Sequence, residues 1–156
     1  MRIERRFTRD GQSPYEGIEF RTATSEIRNP DGSTVFRLEN IEIPAGWSQV
    51  AIDILAQKYF RKAGVPQALK SVEENTVPSW LWRHVADEQA LGALAENKRY
   101  GSEISSKQVF DRLAGAWTYW GWKGGYYDSE ADARAFFDEL RFMLAAQMCA
   151  PNSPQW

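Results

Sequence analysis

Three stretches of apolar residues recur at helical spacing, each closed by a helix-stopping signal, and they commit this chain to a mainly helical core. The first runs from about Ser48 to Ala63 and sets Trp47, Val50, Ala51, Ile54, Leu55 and Tyr59 along one face. Lys58, Arg61 and Lys62 fall in its last turns, where cations complement the helix dipole. Gly64 stands where a left-handed cap belongs, and Pro66 prevents continuation. The second begins at Ser105 or Ser106. Ser105 and Gln108 fit a capping box, in which each side chain satisfies a backbone donor. Its stripe is Val109, Phe110, Leu113, Ala114, Trp117 and Trp120, and Lys123-Gly124-Gly125 stops it. The third opens at Asp128-Ser129 and aligns Ala133, Phe136, Phe137, Leu140, Leu144 and Met148 before Pro151 ends it.

A β-hairpin precedes the helices. Ile18, Phe20, Thr22 and Thr24 alternate with polar neighbours, the period-two pattern of a half-buried strand. Asn29-Pro30-Asp31-Gly32 supplies turn chemistry, and a return strand spans about Val35 to Ile43. Its apolar alternation changes face near Asn40, which predicts a bulge. Residues 65–104 are broken by Pro66, Pro78, Gly92 and Gly101 and offer one short helix around Asp87 to Leu94. The expected fold is therefore mainly α (α+β): an extended arm and hairpin over 1–46, then a helical unit over 47–156.

Composition narrows the function classes. Net charge is −2, which gives no basic field for nucleic acid or anionic lipid. One cysteine and one histidine exclude a disulfide framework and any metal site needing two of either. The charged start lacks the apolar run of a signal peptide, and no stretch approaches the length of a membrane span. These features point to a cytoplasmic protein. The surplus is aromatic, with seven Trp, six Tyr and eight Phe.

Several constellations invite a sharper reading, each with a plainer rival. Gly101 to Lys107 has the outline of a phosphate-binding loop, but Ser106 and Gln108 replace the second glycine and the metal-binding hydroxyl; a helix cap is favoured. Gly121-Trp-Lys-Gly-Gly125 could form an anion nest, against a helix C-cap. Cys149 and His84 are the only thiol and imidazole and lack a local partner signature, so packing and surface roles are favoured over a catalytic dyad. Glu73-Glu74 and Asp138-Glu139 are read as solvated, because helical neighbours splay apart. Trp117, Tyr119, Trp120, Trp122, Tyr126 and Tyr127 could make a stacking platform, yet only Lys123 supplies charge there, and packing is favoured.

The chain's last residues change the picture. Asn152-Ser153-Pro154 after a helix resembles the start of the substrate-phosphate motif of class II, adenosylcobalamin-dependent ribonucleotide reductases. Asp10-Gly-Gln-Ser-Pro-Tyr15, Thr24-Ser-Glu-Ile27, Ile54-Leu-Ala-Gln-Lys-Tyr59 and Val77-Pro-Ser-Trp-Leu-Trp82 are similar to the amino-terminal region of the long bacterial form. So are Ser105-Ser-Lys-Gln-Val-Phe110 and Trp117-Thr-Tyr-Trp-Gly-Trp-Lys-Gly-Gly125. The matches follow one another in order over nearly the whole chain.

The resemblance implies an amino-terminal end domain flanking a ten-stranded α/β barrel. In such enzymes a cysteine thiyl radical, generated from adenosylcobalamin, reduces ribonucleotides (here read as ribonucleoside diphosphates) at the 2′ carbon. The radical and reducing cysteines lie outside the region seen here, so no catalytic residue is assigned and Cys149 takes none of those roles. Ser153 is the substrate-phosphate contact the resemblance transfers, with Asn152 beside it. Implied partners are the ribonucleotide, the rest of the reductase chain, a thioredoxin-type reductant and a second copy in a homodimer. Adenosylcobalamin is expected on the full-length enzyme and not on this part. The rival reading is a freestanding binding module that uses the aromatic patch, and a small enzyme using Cys149 and His84 ranks third.

Overall fold

In the computed structural model, which describes residues 1–153 and 155–156, the alternating run becomes β1 (Phe20–Arg28), antiparallel to β2 (Thr34–Pro44). Gly32 turns at φ +85° while its N–H donates to the Asn29 carbonyl at 2.9 Å. Ala23 faces Ile41 but Ser25 faces Leu38, so one extra residue enters β2. Asn40 takes φ +56° at that bulge. The extra residue restores phase: Phe36 and Leu38 before it and Ile41 and Ile43 after it all turn away from solvent, the last two completely. The expected bulge is therefore present, and it lets one strand present a continuous apolar face.

The first helix is shorter than its apolar spacing predicts. α1 (Gln49–Ile54) starts on a Ser48 cap, passes into a single π-turn at Leu55–Tyr59, and ends there. The Phe60 N–H bonds the Leu55 carbonyl at 3.0 Å, five residues back. Widening the turn swings residue i+5 towards the face of residue i, which lets Leu55, Ala56 and Phe60 all bury. Arg61 and Lys62 consequently lie beyond the helix, and Gly64, at φ +73°, serves the following turn rather than a cap. The vacated end is sealed from elsewhere. Arg112 donates to the Tyr59 carbonyl at 2.6 Å and to buried Glu103, which accepts the Arg61 N–H at 2.8 Å.

Between residues 61 and 105 the chain makes only short elements, as its prolines and glycines imply. β3 (Val65–Pro66) pairs with a later strand at Tyr100–Gly101, and β4 (Leu69–Ser71) pairs with β5 (His84–Ala86). α2 (Glu88–Gly92) sits on an Asp87 cap where the short helix was expected. Indoles hold the intervening loop: Trp82 Nε1 donates to the Val77 carbonyl at 2.9 Å and Trp122 Nε1 to the Thr76 carbonyl at 2.7 Å.

The two long helices form as read. α3 (Ser106–Lys123) opens with both halves of the Ser105–Gln108 capping box. It closes in a Schellman motif, Gly125 N–H to Trp122 and Tyr126 N–H to Gly121, with Gly125 at φ +69°. α4 (Glu130–Ala145) packs alongside it. It stops earlier than Pro151: Gln147 takes φ +57°, and the Met148 N–H bonds the Met143 carbonyl at 2.8 Å, a second Schellman closure. Met148 is thus outside the helix and exposed. Trp120, expected on the buried stripe of α3, points to solvent; the small residues Thr118 and Gly121 bury there instead. One core joins Ile41 and Ile43 of the hairpin to Ile52, Phe60, Val109, Phe110 and Leu144. Trp47 locks it, its indole N–H donating to the Ala145 carbonyl at 2.8 Å.

The charged start is extended, as expected, and lies along α4. The N–H groups of Phe7 and Thr8 and the Thr8 hydroxyl converge on the Glu139 carboxylate, and Arg5 reaches Asp138 at 2.7 Å. Asp138 and Glu139 are therefore buried, contrary to their reading as solvated: the arm brings its own donors to them. Glu74 is half-buried and accepts from Tyr119 at 2.8 Å and Lys123 at 2.6 Å, whereas Glu73 is exposed.

Candidate functional site

The helix N-terminus of α3 is the first place to look for a phosphate, because its free N–H groups and dipole favour an anion. A protein carboxylate already lies against it, held by side chains. Glu42 accepts from Ser105 Oγ at 2.6 Å and from Lys107 Nζ at 3.0 Å. The Ser105 hydroxyl, outweighing the cost of partial burial, holds the Glu42 carboxyl below its usual range, with Lys107 adding to the effect. The Gly101–Lys107 stretch is a cap. The glycines at 121–125 likewise close a helix, and a Cβ on Gly121 would stand 2.7 Å from the Tyr127 hydroxyl.

His84 and Cys149 are not brought together. His84 is exposed on β5, its Nε2 3.2 Å from Ser71 Oγ. Cys149 lies past α4 between two apolar grooves whose walls do not include His84, and burial pushes its thiol up from the usual range. Among the described residues no three His, Cys, Asp or Glu side chains gather as metal ligands would.

The six clustered aromatics are mostly consumed by packing. Tyr119 and Trp122 hold the 74–76 loop, Trp117 lies on the core, and Tyr127 packs on Phe136 with ring centres 5.6 Å apart. Trp120 and Tyr126 alone of the six are largely exposed. Sequence reasoning missed the buried acids Glu103, Asp138 and Glu139. For Glu103 and Glu139 the signal lay in the distant partners Arg112 and Thr8, which no local spacing reveals; Asp138 pairs with distant Arg5 and also with Arg141 three residues on, a spacing the sequence does show.

Asn152 and Ser153 lie on the exposed tail after α4, where the Asn152 carbonyl accepts the Gln155 N–H at 2.8 Å; Pro154 of the same motif falls outside the described residues. The tail ends at Trp156, stacked on Tyr59 with centres 5.3 Å apart. Beside it a groove of about 340 Å³ runs between α1 and Leu144, Cys149 and Ala150. A second, of about 570 Å³, lies between the arm and α4.

Comparison with known proteins decides what this arrangement belongs to. Residues 21–147 match the family model described as class II vitamin B12-dependent ribonucleotide reductase. The chain belongs to that family. Proteins named vitamin B12-dependent ribonucleotide reductase from Bradyrhizobium diazoefficiens and Agrobacterium fabrum are each 70% identical over all 156 residues. The one from Streptomyces coelicolor is 30% identical over 158 aligned residues, again covering the whole chain. The chain spans only about 12–13% of the length of these relatives and corresponds to their amino-terminal part.

The two apolar grooves beside Cys149 do not fit vitamin B12 itself. A corrinoid carries polar amides around its ring, and these need hydrogen-bond partners once buried. The two apolar grooves beside Cys149 offer mainly hydrocarbon, and the one imidazole faces Ser71. No step involving the cofactor is assigned to this chain. No helix among the described residues is long and apolar enough to cross a membrane.

Proposed function

We propose that residues 1–156 are the end domain that flanks the catalytic α/β barrel of a class II ribonucleotide reductase, the hairpin arm of 1–46 and the helical part of 47–156 acting as one scaffold. The observation that carries this reading is identity of 70% along the entire chain to proteins about eight times longer that bear that name. The full-length protein then makes deoxyribonucleotides for DNA synthesis in the cytoplasm, reducing ribonucleoside diphosphates with adenosylcobalamin as the radical source and a thioredoxin-type protein as reductant. A homodimer is the assembly in keeping with the family.

Within this domain, Ser153 is the side chain that reaches the substrate phosphate, with Asn152 beside it. Both are exposed on a tail free to meet a neighbouring surface, and a hydroxyl donor suits a phosphate oxygen. In the full-length enzyme Ser153→Ala is expected to raise the nucleotide KM about 10- to 150-fold with a smaller effect on kcat, since one hydrogen bond to a charged group, about 1.5–3 kcal/mol, is lost. An unchanged KM removes the role. The rival reading, a freestanding aromatic-patch module, loses support because the patch is largely consumed by intrachain contacts and the apolar surface is divided between adjoining grooves.

A further inference from the structure

Packing does not use up every aromatic ring near α3. Arg112, Gly115, Ala116, Tyr119 and Trp120 fall at i, i+3, i+4, i+7 and i+8 and share one face of that helix. Two small residues in the middle of the face leave a trough, and Trp80, Trp82 and Arg83 complete its walls. The resulting groove holds about 340 Å³, a size typical of small-ligand sites. Arg112 and Trp120 stand about 12 Å apart along the helix axis.

Folding also supplies the charge that the local sequence lacks. Only Lys123 is near these rings in sequence, but the groove gathers Arg83 and Arg112, and the Arg134 guanidinium lies 4.6 Å over the Trp80 ring. The neighbouring carboxylates are already engaged. Glu74 accepts from Tyr119 and Lys123, Glu103 from Arg112, and Glu130 from the Trp80 indole at 2.8 Å. The donors are not. Among the described residues the Arg83 side chain makes no hydrogen bond; its nearest acid is Glu74 at 3.8 Å, and it is 59% exposed. Arg112 commits Nε and Nη2 to Glu103 and the Tyr59 carbonyl and leaves Nη1 unpaired. The Trp120 indole, 64% exposed, has no partner for its N–H among the described residues.

A groove whose unspent side-chain groups are donors selects a ligand that brings acceptors and negative charge. A peptide brings backbone N–H groups for which these walls have no free carboxylate or amide. An aromatic ring carrying a phosphate meets both requirements: the ring stacks on an exposed indole, and phosphate oxygens accept from a guanidinium. We propose that this groove binds a nucleoside phosphate, its base stacked on Trp120 and its phosphate held by Arg83. None of its walls comes from the tail that carries Asn152 and Ser153, so the site goes beyond the substrate contact above and does not depend on it. With no unspent side-chain acceptor to read the base edge, adenine and guanine should bind alike.

Photolabelling of the full-length enzyme with azidoadenosine triphosphate, followed by mass-spectrometric mapping, tests this. Label is expected within residues 80–83 or 112–123, with ATP and GTP competing for it at similar concentrations and adenosine competing far less well. Trp120→Ala is expected to raise the half-labelling concentration at these residues about 5- to 150-fold, the worth of one stacked base. Arg83→Gln should weaken ATP and leave it no better a competitor than adenosine. Gly115→Ala guards against loss of binding through unfolding. Its methyl meets only Phe137, at 3.8 Å, yet it narrows the groove, so weaker labelling with an undiminished Tm is expected. No label in either segment, adenosine competing as well as ATP, or half-labelling unchanged in all three variants overturns the proposal.

Discussion

Gln147 holds a left-handed backbone that costs a residue with a Cβ roughly 1–2 kcal/mol. Gln147→Gly relieves that strain at the end of α4, and part of the gain is offset by the freedom glycine has when unfolded. The expected net is about 0.5–1 kcal/mol, seen as a rise in Tm of about 1–4 °C in a thermal melt. Two glycines of α3 should respond oppositely to alanine. At Gly115 a Cβ meets only Phe137, at an ordinary 3.8 Å, so Gly115→Ala should stabilise by up to about 1 kcal/mol. At Gly121 it meets the Tyr127 ring and hydroxyl below 3.0 Å, and Gly121→Ala should cost about 1–3 kcal/mol. Denaturant unfolding of the pair checks the sign of each. Gln147 shows why some of this was invisible beforehand: glycine or asparagine announces a left-handed cap, glutamine does not, and the third helix was accordingly read through to Pro151.

Elements whose signals are local were legible, and those closed by distant partners were not. The capping box at Ser105, the short helix expected around Asp87 to Leu94 and the bulge near Asn40 each depend on residues within a few positions, and all three are present, the helix as Glu88–Gly92. The early end of α1 depends on Glu103 and Arg112, roughly 50 residues away from Tyr59 and Arg61. The arm is a similar case. Burial raises the Glu139 carboxyl, but the Thr8 hydroxyl and the N–H groups of Thr8 and Phe7 outweigh it and hold the group below its usual range. A carboxyl lowered in the folded state adds stability that is fully present above the unfolded value near ~4.3 and is lost as pH falls through the folded value. Glu139→Gln should therefore flatten the loss of stability on acidification below about pH 4.3. At neutral pH it should cost about 1.5–3 kcal/mol, the worth of a charged hydrogen bond. Unfolding curves at a series of pH values measure both effects; parallel acid profiles for the two proteins would show that Glu139 does not hold the arm.

Across the whole molecule, a single core ties hairpin, helices and arm together, while the surface around α1 and the tail stays apolar. Composition announced the aromatic surplus without saying where it goes. Part of it, Trp47, Phe60 and Phe110 with Tyr15 and Trp117 against them, packs the central core; Trp82, Tyr119 and Trp122 hold the 74–76 loop; and Trp156 stacks on Tyr59. Asn152 and Ser153 are singled out by resemblance alone, because no local spacing in the sequence assigns them a phosphate. On the end-domain reading proposed above, residues 1–156 should have no chemistry of their own. Residues 1–156 and the full-length protein, each mixed with adenosylcobalamin, a ribonucleotide and a dithiol reductant, can be followed by paramagnetic resonance and deoxyribonucleotide formation. Radical signal and product from the full-length protein, with neither from residues 1–156, is the result predicted. Radical or product from residues 1–156 alone would contradict it.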